Sequence, residues 1–102
     1  MAAMPAYAFA APLWLWDARR TDAWTFVSLP TPVADEVLDL VGDRARGFGS
    51  VRVEVTVGRT VWRTSIFPST DTYVLPVKKA VRRAESLDVG DTVQVRLTLV
   101  DF

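Results

Sequence analysis

Neither cysteine nor histidine occurs among the 102 residues of this chain. Their absence excludes disulfide staples, thiolate nucleophiles and Cys/His zinc sites. Without an imidazole there is no Ser-His-Asp arrangement either. Net charge is missing too, because 12 Lys and Arg balance 12 Asp and Glu. A protein that lives on nucleic acid ordinarily carries a net basic surface, so duplex DNA is not an expected partner. The first sixteen residues, "MAAMPAYAFAAPLWLW", carry no charge. They lack the basic start of a signal peptide, and with Pro5 and Pro12 they make a poor membrane span. The expectation is a cytoplasmic protein with no membrane contact, no cofactor and no metal.

What is present is a globular composition. Half the residues are hydrophobic and 24% are charged, which suits one compact domain over residues 1–102. "YAFAAPLWLW" (7–16) reads as a strand, "DARRTD" (17–22) as a polar turn and "AWTFVSL" (23–29) as a second strand. Pro30 and Pro32 then open a helix, with Val33, Ala34, Val37, Leu38 and Val41 at helical spacing. Asp35 and Glu36 fall near its start. "VRVEVTV" (51–57) alternates with valine on one side, as a half-buried strand does. After a "GR" turn, "TVWRTSIF" (60–67) and "TYVL" (72–75) read as strands. Pro76 opens a second helix with Val77, Ala80, Val81, Ala84 and Leu87 apolar, and "TVQVRLTLV" (92–100) is the last strand.

The halves match. "FVSLPTPVADEV" lies over "YVLPVKKAV", and "GSVRVEVTV" over "GDTVQVRLTL". Two β-β-α-β repeats, 7–57 and 60–100, are expected. Neither has enough strands to close a core alone, whereas two can close one barrel. The predicted fold is mainly β, a double-split β-barrel capped by two short helices.

"LPVKKAVRRAESLDVGDTVQVRL" resembles the AbrB-type unit of strand, Pro-led helix and closing strand. The whole chain resembles more closely a bacterial family of unknown function, DUF1905. The motifs that carry this are "FVSLP" (26–30), "GFGSVRVEVTVG" (47–58), "WRTSIFP" (62–68), "YVLPVKKAVRRA" (73–84) and "VGDTVQVRLTL" (89–99). The resemblance implies the double-split barrel and implies no established activity.

Lys78, Lys79, Arg82 and Arg83 sit at i, i+1, i+4 and i+5, on one helix face. Two cations in a first turn oppose the helix dipole, at about 0.3–1 kcal/mol each when exposed. The functional reading is recognition of a small anion or an acidic partner protein by Lys78, Lys79 and Arg82, with Arg63 and Ser65 nearby. The plainer reading is a solvated face, with Arg82 paired to Glu85. In "WRTSIF", Trp62, Thr64 and Ile66 share one strand face, and Arg63 and Ser65 the other. Ser65 with Lys78 offers acyl transfer only if the lysine is desolvated and neutral. Cross-strand hydrogen bonding is the plainer role for the hydroxyls.

Four tryptophans are many for this length. Trp14 and Trp16 share one strand face while Leu13 and Leu15 share the other, so one apolar face must meet a helix, a ligand or a second chain. A monomer and a homodimer both fit. Arg19 and Arg20 in the first turn match the DNA-contacting turn of AbrB-type proteins, but "PSTD" (68–71) in the second copy has no cation. The reading is therefore a non-enzymatic binding or regulatory module. The alternatives are an AbrB-type nucleic-acid binder, and a small-molecule pocket protein or enzyme using Ser65 and Lys78.

Overall fold

The computed structural model describes residues 6–16, 24–42 and 49–100. Among them the elements run β1 (Ala6–Trp16), β2 (Trp24–Ser28), α1 (Thr31–Val41), β3 (Val51–Val57), β4 (Thr60–Pro68), β5 (Tyr73–Pro76), α2 (Lys79–Ala84) and β6 (Thr92–Leu99). The β-β-α-β order is read twice. The turn at 17–22, with Arg19 and Arg20, lies outside the described residues.

All neighbouring strands are antiparallel, and they close a barrel in the order β1-β2-β5-β4-β3-β6. The expected split-barrel form comes from its two long strands. β1 pairs with β6 from Ala6 to Pro12, then with β2 from Leu13 to Trp16. Pro12 sits at the changeover, where a residue without an N–H is tolerated. β4 does the same, pairing with β3 from Thr60 to Ile66 and with β5 only through Phe67 and Pro68. That short contact leaves a gap between β4 and the chain after β5.

Period-two alternation fills the barrel. Val51, Val53, Val55 and Val57 face Val93, Val95, Leu97 and Leu99 in one buried cluster, joined by Leu13, Val27, Ile66 and Leu75. Each such fully buried side chain contributes about 1.5–3 kcal/mol relative to exposure. α1 adds Ala34, Val37 and Val41, and α2 adds Val81.

Several local expectations are corrected. Pro76 does not open α2. It ends β5 opposite Phe26, and the ladder runs one residue further, with the Val77 N–H donating to the Thr25 carbonyl at 2.9 Å. The Thr25 hydroxyl donates in turn to the Val77 carbonyl at 2.6 Å. Pairing with β2 thus holds Val77 extended, and Lys78 becomes the N-cap of a helix of only 6 residues. Ala80 and Ala84 are exposed, so of the expected apolar stripe Val77 and Val81 are buried, Leu87 packs partly against the core, and only Val81 of these lies within the helix. In α1 the N-cap is Pro30 and no acid lies in the first turn, because Asp35 and Glu36 fall in the second. Leu38 is exposed rather than buried.

Candidate functional site

The gap beside β4 is a cavity of about 650 Å³. β4 contributes Trp62 and Thr64, and β2 contributes Trp24 and Thr25. Pro76 and Val77 form the wall where β5 gives way to α2. Arg63, Lys78, Lys79 and Arg82 also line it, and no carboxylate does among the described residues. The physical origin is the extended Val77. Because the chain keeps pairing with β2 through that residue and only then turns into α2, the helix cations are carried over the unpaired stretch of β4.

Four of the five site residues expected from sequence, Arg63, Lys78, Lys79 and Arg82, therefore meet in one place. Ser65 does not join them. It pairs across the sheet with Arg52, and the hydroxyls in the lining are those of Thr25 and Thr64. A Ser65–Lys78 pair is not assembled in this cavity. Of the two threonines, Thr25 is already committed to the Val77 carbonyl.

The cations differ in freedom. Arg63 lies opposite Glu54 in the β3–β4 ladder and holds it at 3.3 Å, a surface pair with both partners well exposed. Arg82 is not on a fully solvated face, because its side chain is half-buried and its Nε is buried with no hydrogen-bond partner among the described residues. The expected Arg82–Glu85 pair is replaced. Glu85 accepts from the Thr60 hydroxyl at 2.7 Å and from the Arg59 N–H at 3.3 Å. A buried guanidinium N–H without an acceptor is costly, and an anionic oxygen would satisfy it. A smaller cavity also touches Lys79 and Arg82, but it includes Asp88.

Trp24 also belongs to a second feature. On the outer face of β1 and β2, Trp14 pairs with Phe26 and Trp16 with Trp24. Phe26 lies 5.2 Å from the Trp14 ring and 6.3 Å from the Trp24 ring. The Trp14 indole N–H donates to the Ser28 hydroxyl at 2.9 Å. A groove of about 380 Å³ follows these rings and reaches Pro68 and Val74. Trp16 and Trp24 remain 50% and 54% exposed, so the second apolar face of β1 stays open at this end. Sequence reading found the surplus of tryptophan and the apolar face. It missed Trp24 and Trp62 as cavity walls, since Trp62 reads from alternation as a core residue.

Among the described residues, no cluster of three His, Cys, Asp or Glu could hold a metal ion, and no helix is long and apolar enough to cross a membrane. No curated protein matches the chain. A family model described as a domain of unknown function, DUF1905, matches residues 9–97, and the chain belongs to that family.

Proposed function

We propose that this DUF1905 chain is a non-enzymatic binding module for a small organic anion. The anionic end is held by Lys78, Lys79 and Arg82, and a flat apolar body lies against Trp24 and Trp62. One observation carries the reading: among the described residues, two indoles and four cations line a single cavity without a carboxylate. Its volume falls in the range of about 300–1,000 Å³ typical of small-molecule sites. A concave site of that size supports a small ligand over an acidic protein surface. Among the described residues, the lining offers no imidazole or carboxylate base, which supports binding without catalysis. The repeated β-β-α-β order further supports an internal duplication in which only the helix of the second copy carries cations.

Phenyl phosphate, with one ring and one dianion, tests this reading against inorganic phosphate and phenol by calorimetry and tryptophan fluorescence. Phenyl phosphate should bind saturably and more tightly than either fragment. Lys78→Glu with Lys79→Glu should abolish binding while the melting temperature holds. No saturable binding at millimolar ligand, or binding indifferent to both lysines, overturns the reading.

A further inference from the structure

We infer that the cavity and the aromatic groove form one continuous site for a short single-stranded nucleic acid. The inference rests on the anion-binding reading and extends it from a lone anion to a chain of them. The join is Trp24, which lines both the cationic cavity and the groove. On the groove side, Trp16 and Trp24 sit opposite one another at the end of the β1–β2 ladder and expose half of each side chain. Their floor is fixed, because Phe26 packs against Trp14 and Trp24, and Trp14 is pinned to Ser28. On the cavity side stand Lys78, Lys79 and Arg82. Among the described residues, no Asp or Glu lines either part.

Exposed flat rings beside a cluster of free cations suit a ligand that repeats a flat face and a negative charge. Unpaired bases stack on aromatic side chains, at about 1–3 kcal/mol per base, while cations track the phosphates. A duplex hides its base faces and gains only the charge term. A second copy of this chain is a poorer occupant. Two such faces meeting about a two-fold axis would bring two sets of lysines together, and like charges across an interface are unfavourable. A membrane surface is also a poorer fit, since Lys78, Lys79 and Arg82 line a concavity rather than a flat rim.

The experiment is fluorescence anisotropy with labelled oligo(dT) of eight nucleotides, competed by thymidine monophosphate, by the corresponding duplex, and by phosphatidylserine/phosphatidylcholine vesicles. The octamer should bind at least about tenfold more tightly than the mononucleotide. Its affinity should fall with salt at a logarithmic slope of about −2, as three phosphate contacts on a single strand give. Trp16→Leu and Trp24→Leu, which keep apolar bulk but lose the flat face, should each weaken the octamer about tenfold. They should leave the melting temperature unchanged. An octamer no tighter than the mononucleotide overturns the extended site and leaves the anion cavity standing. Equal displacement by duplex overturns it as well. Vesicles that bind where the octamer does not assign the face to lipid. A dimer in sedimentation that Trp16→Glu dissociates, with no octamer binding, assigns it to a second copy. Failure of both phenyl phosphate and the octamer removes the cavity reading itself.

Discussion

The Thr60 hydroxyl donates to the Glu85 carboxylate at 2.7 Å, tying the β3–β4 hairpin to the end of the helix that carries the cavity's cations. α2 has only 6 residues and no side-chain cap, and so short a helix has little stability of its own. Its position depends on this tether and on buried Val81. Glu85→Ala should cost about 1 kcal/mol by urea denaturation, the net worth of a partly exposed charged hydrogen bond. It should also weaken phenyl phosphate binding, although Glu85 does not line the cavity. A variant that loses stability and binds as before would show that α2 is held by other contacts.

Gly58 completes the same tether. Its φ is 58°, and a Cβ there would collide with the Glu85 carboxylate. Gly58→Ala should therefore cost the backbone penalty of about 1 kcal/mol and the tether as well. In a Glu85→Ala background only the backbone part should remain. The difference is the coupling that a double-mutant cycle of melting curves measures.

In the proposed site, Glu54 would compete with a ligand for Arg63. Both side chains of the pair are well exposed, and such pairs contribute about 0.2–1 kcal/mol. Glu54→Gln should leave stability within about 0.5 kcal/mol and tighten phenyl phosphate binding by about threefold, measured by calorimetry. Unchanged or weaker binding would place Arg63 outside the anion-contacting set.

Thr25→Val tests the junction that opens the cavity. The buried hydroxyl caps the Val77 carbonyl, and its removal leaves that carbonyl short of a donor at about 1–3 kcal/mol. Hydrogen exchange at the Val77 amide, bonded to the Thr25 carbonyl, should accelerate by more than at the Leu29 amide, bonded to the Tyr73 carbonyl. Equal change at both would mean that the loss is global.

The alkaline limb of stability should be set by two tyrosines. Burial pushes the Tyr73 phenol above the ordinary value of 10.0. Burial, with a smaller effect of the Glu36 charge, pushes Tyr7 in the same direction. A raised value means that the folded state holds the proton more tightly. Below the unfolded value both states are protonated and stability is complete. As pH rises beyond about 10, the unfolded state ionises first, and stability is lost progressively through the folded values. Tyr73→Phe and Tyr7→Phe should flatten this decline in melting temperature between neutral pH and pH 11. A decline of unchanged steepness in the double variant would exclude the tyrosines as its source.

The barrel was legible because its signals are local. Alternation in 51–57 and 92–99 needs only the two-residue repeat of a strand, and both segments bury the valine and leucine side. The matching "LP" segments suggested equivalent helix starts, yet Pro30 is an N-cap and Pro76 is a strand residue. Three of the four cations that gather, Lys78, Lys79 and Arg82, were read from helical spacing, and spacing of 1 and 4 survives a shift of the helix start. Arg83 of the same set stays outside the cavity, and Arg63 comes from β4. Ser65 failed because alternation puts it on the face of Arg63 but does not say how far along β4 a cavity reaches, and the β4 lining runs only from Trp62 to Thr64.

The sequence alone determined the strands, the two helices, the neutral charge and the basic segment, since each follows from repeats and composition within about ten residues. Only the tertiary structure decided where the cavity opens. That depends on the Thr25–Val77 hydrogen bond, between residues 52 apart, and on β4 pairing with β5 through two residues and no more. A local repeat fixes which side chains are buried, but which strand ends meet is set by the closure of the whole barrel. The unpaired stretch of β4 and the cations above it are products of that closure.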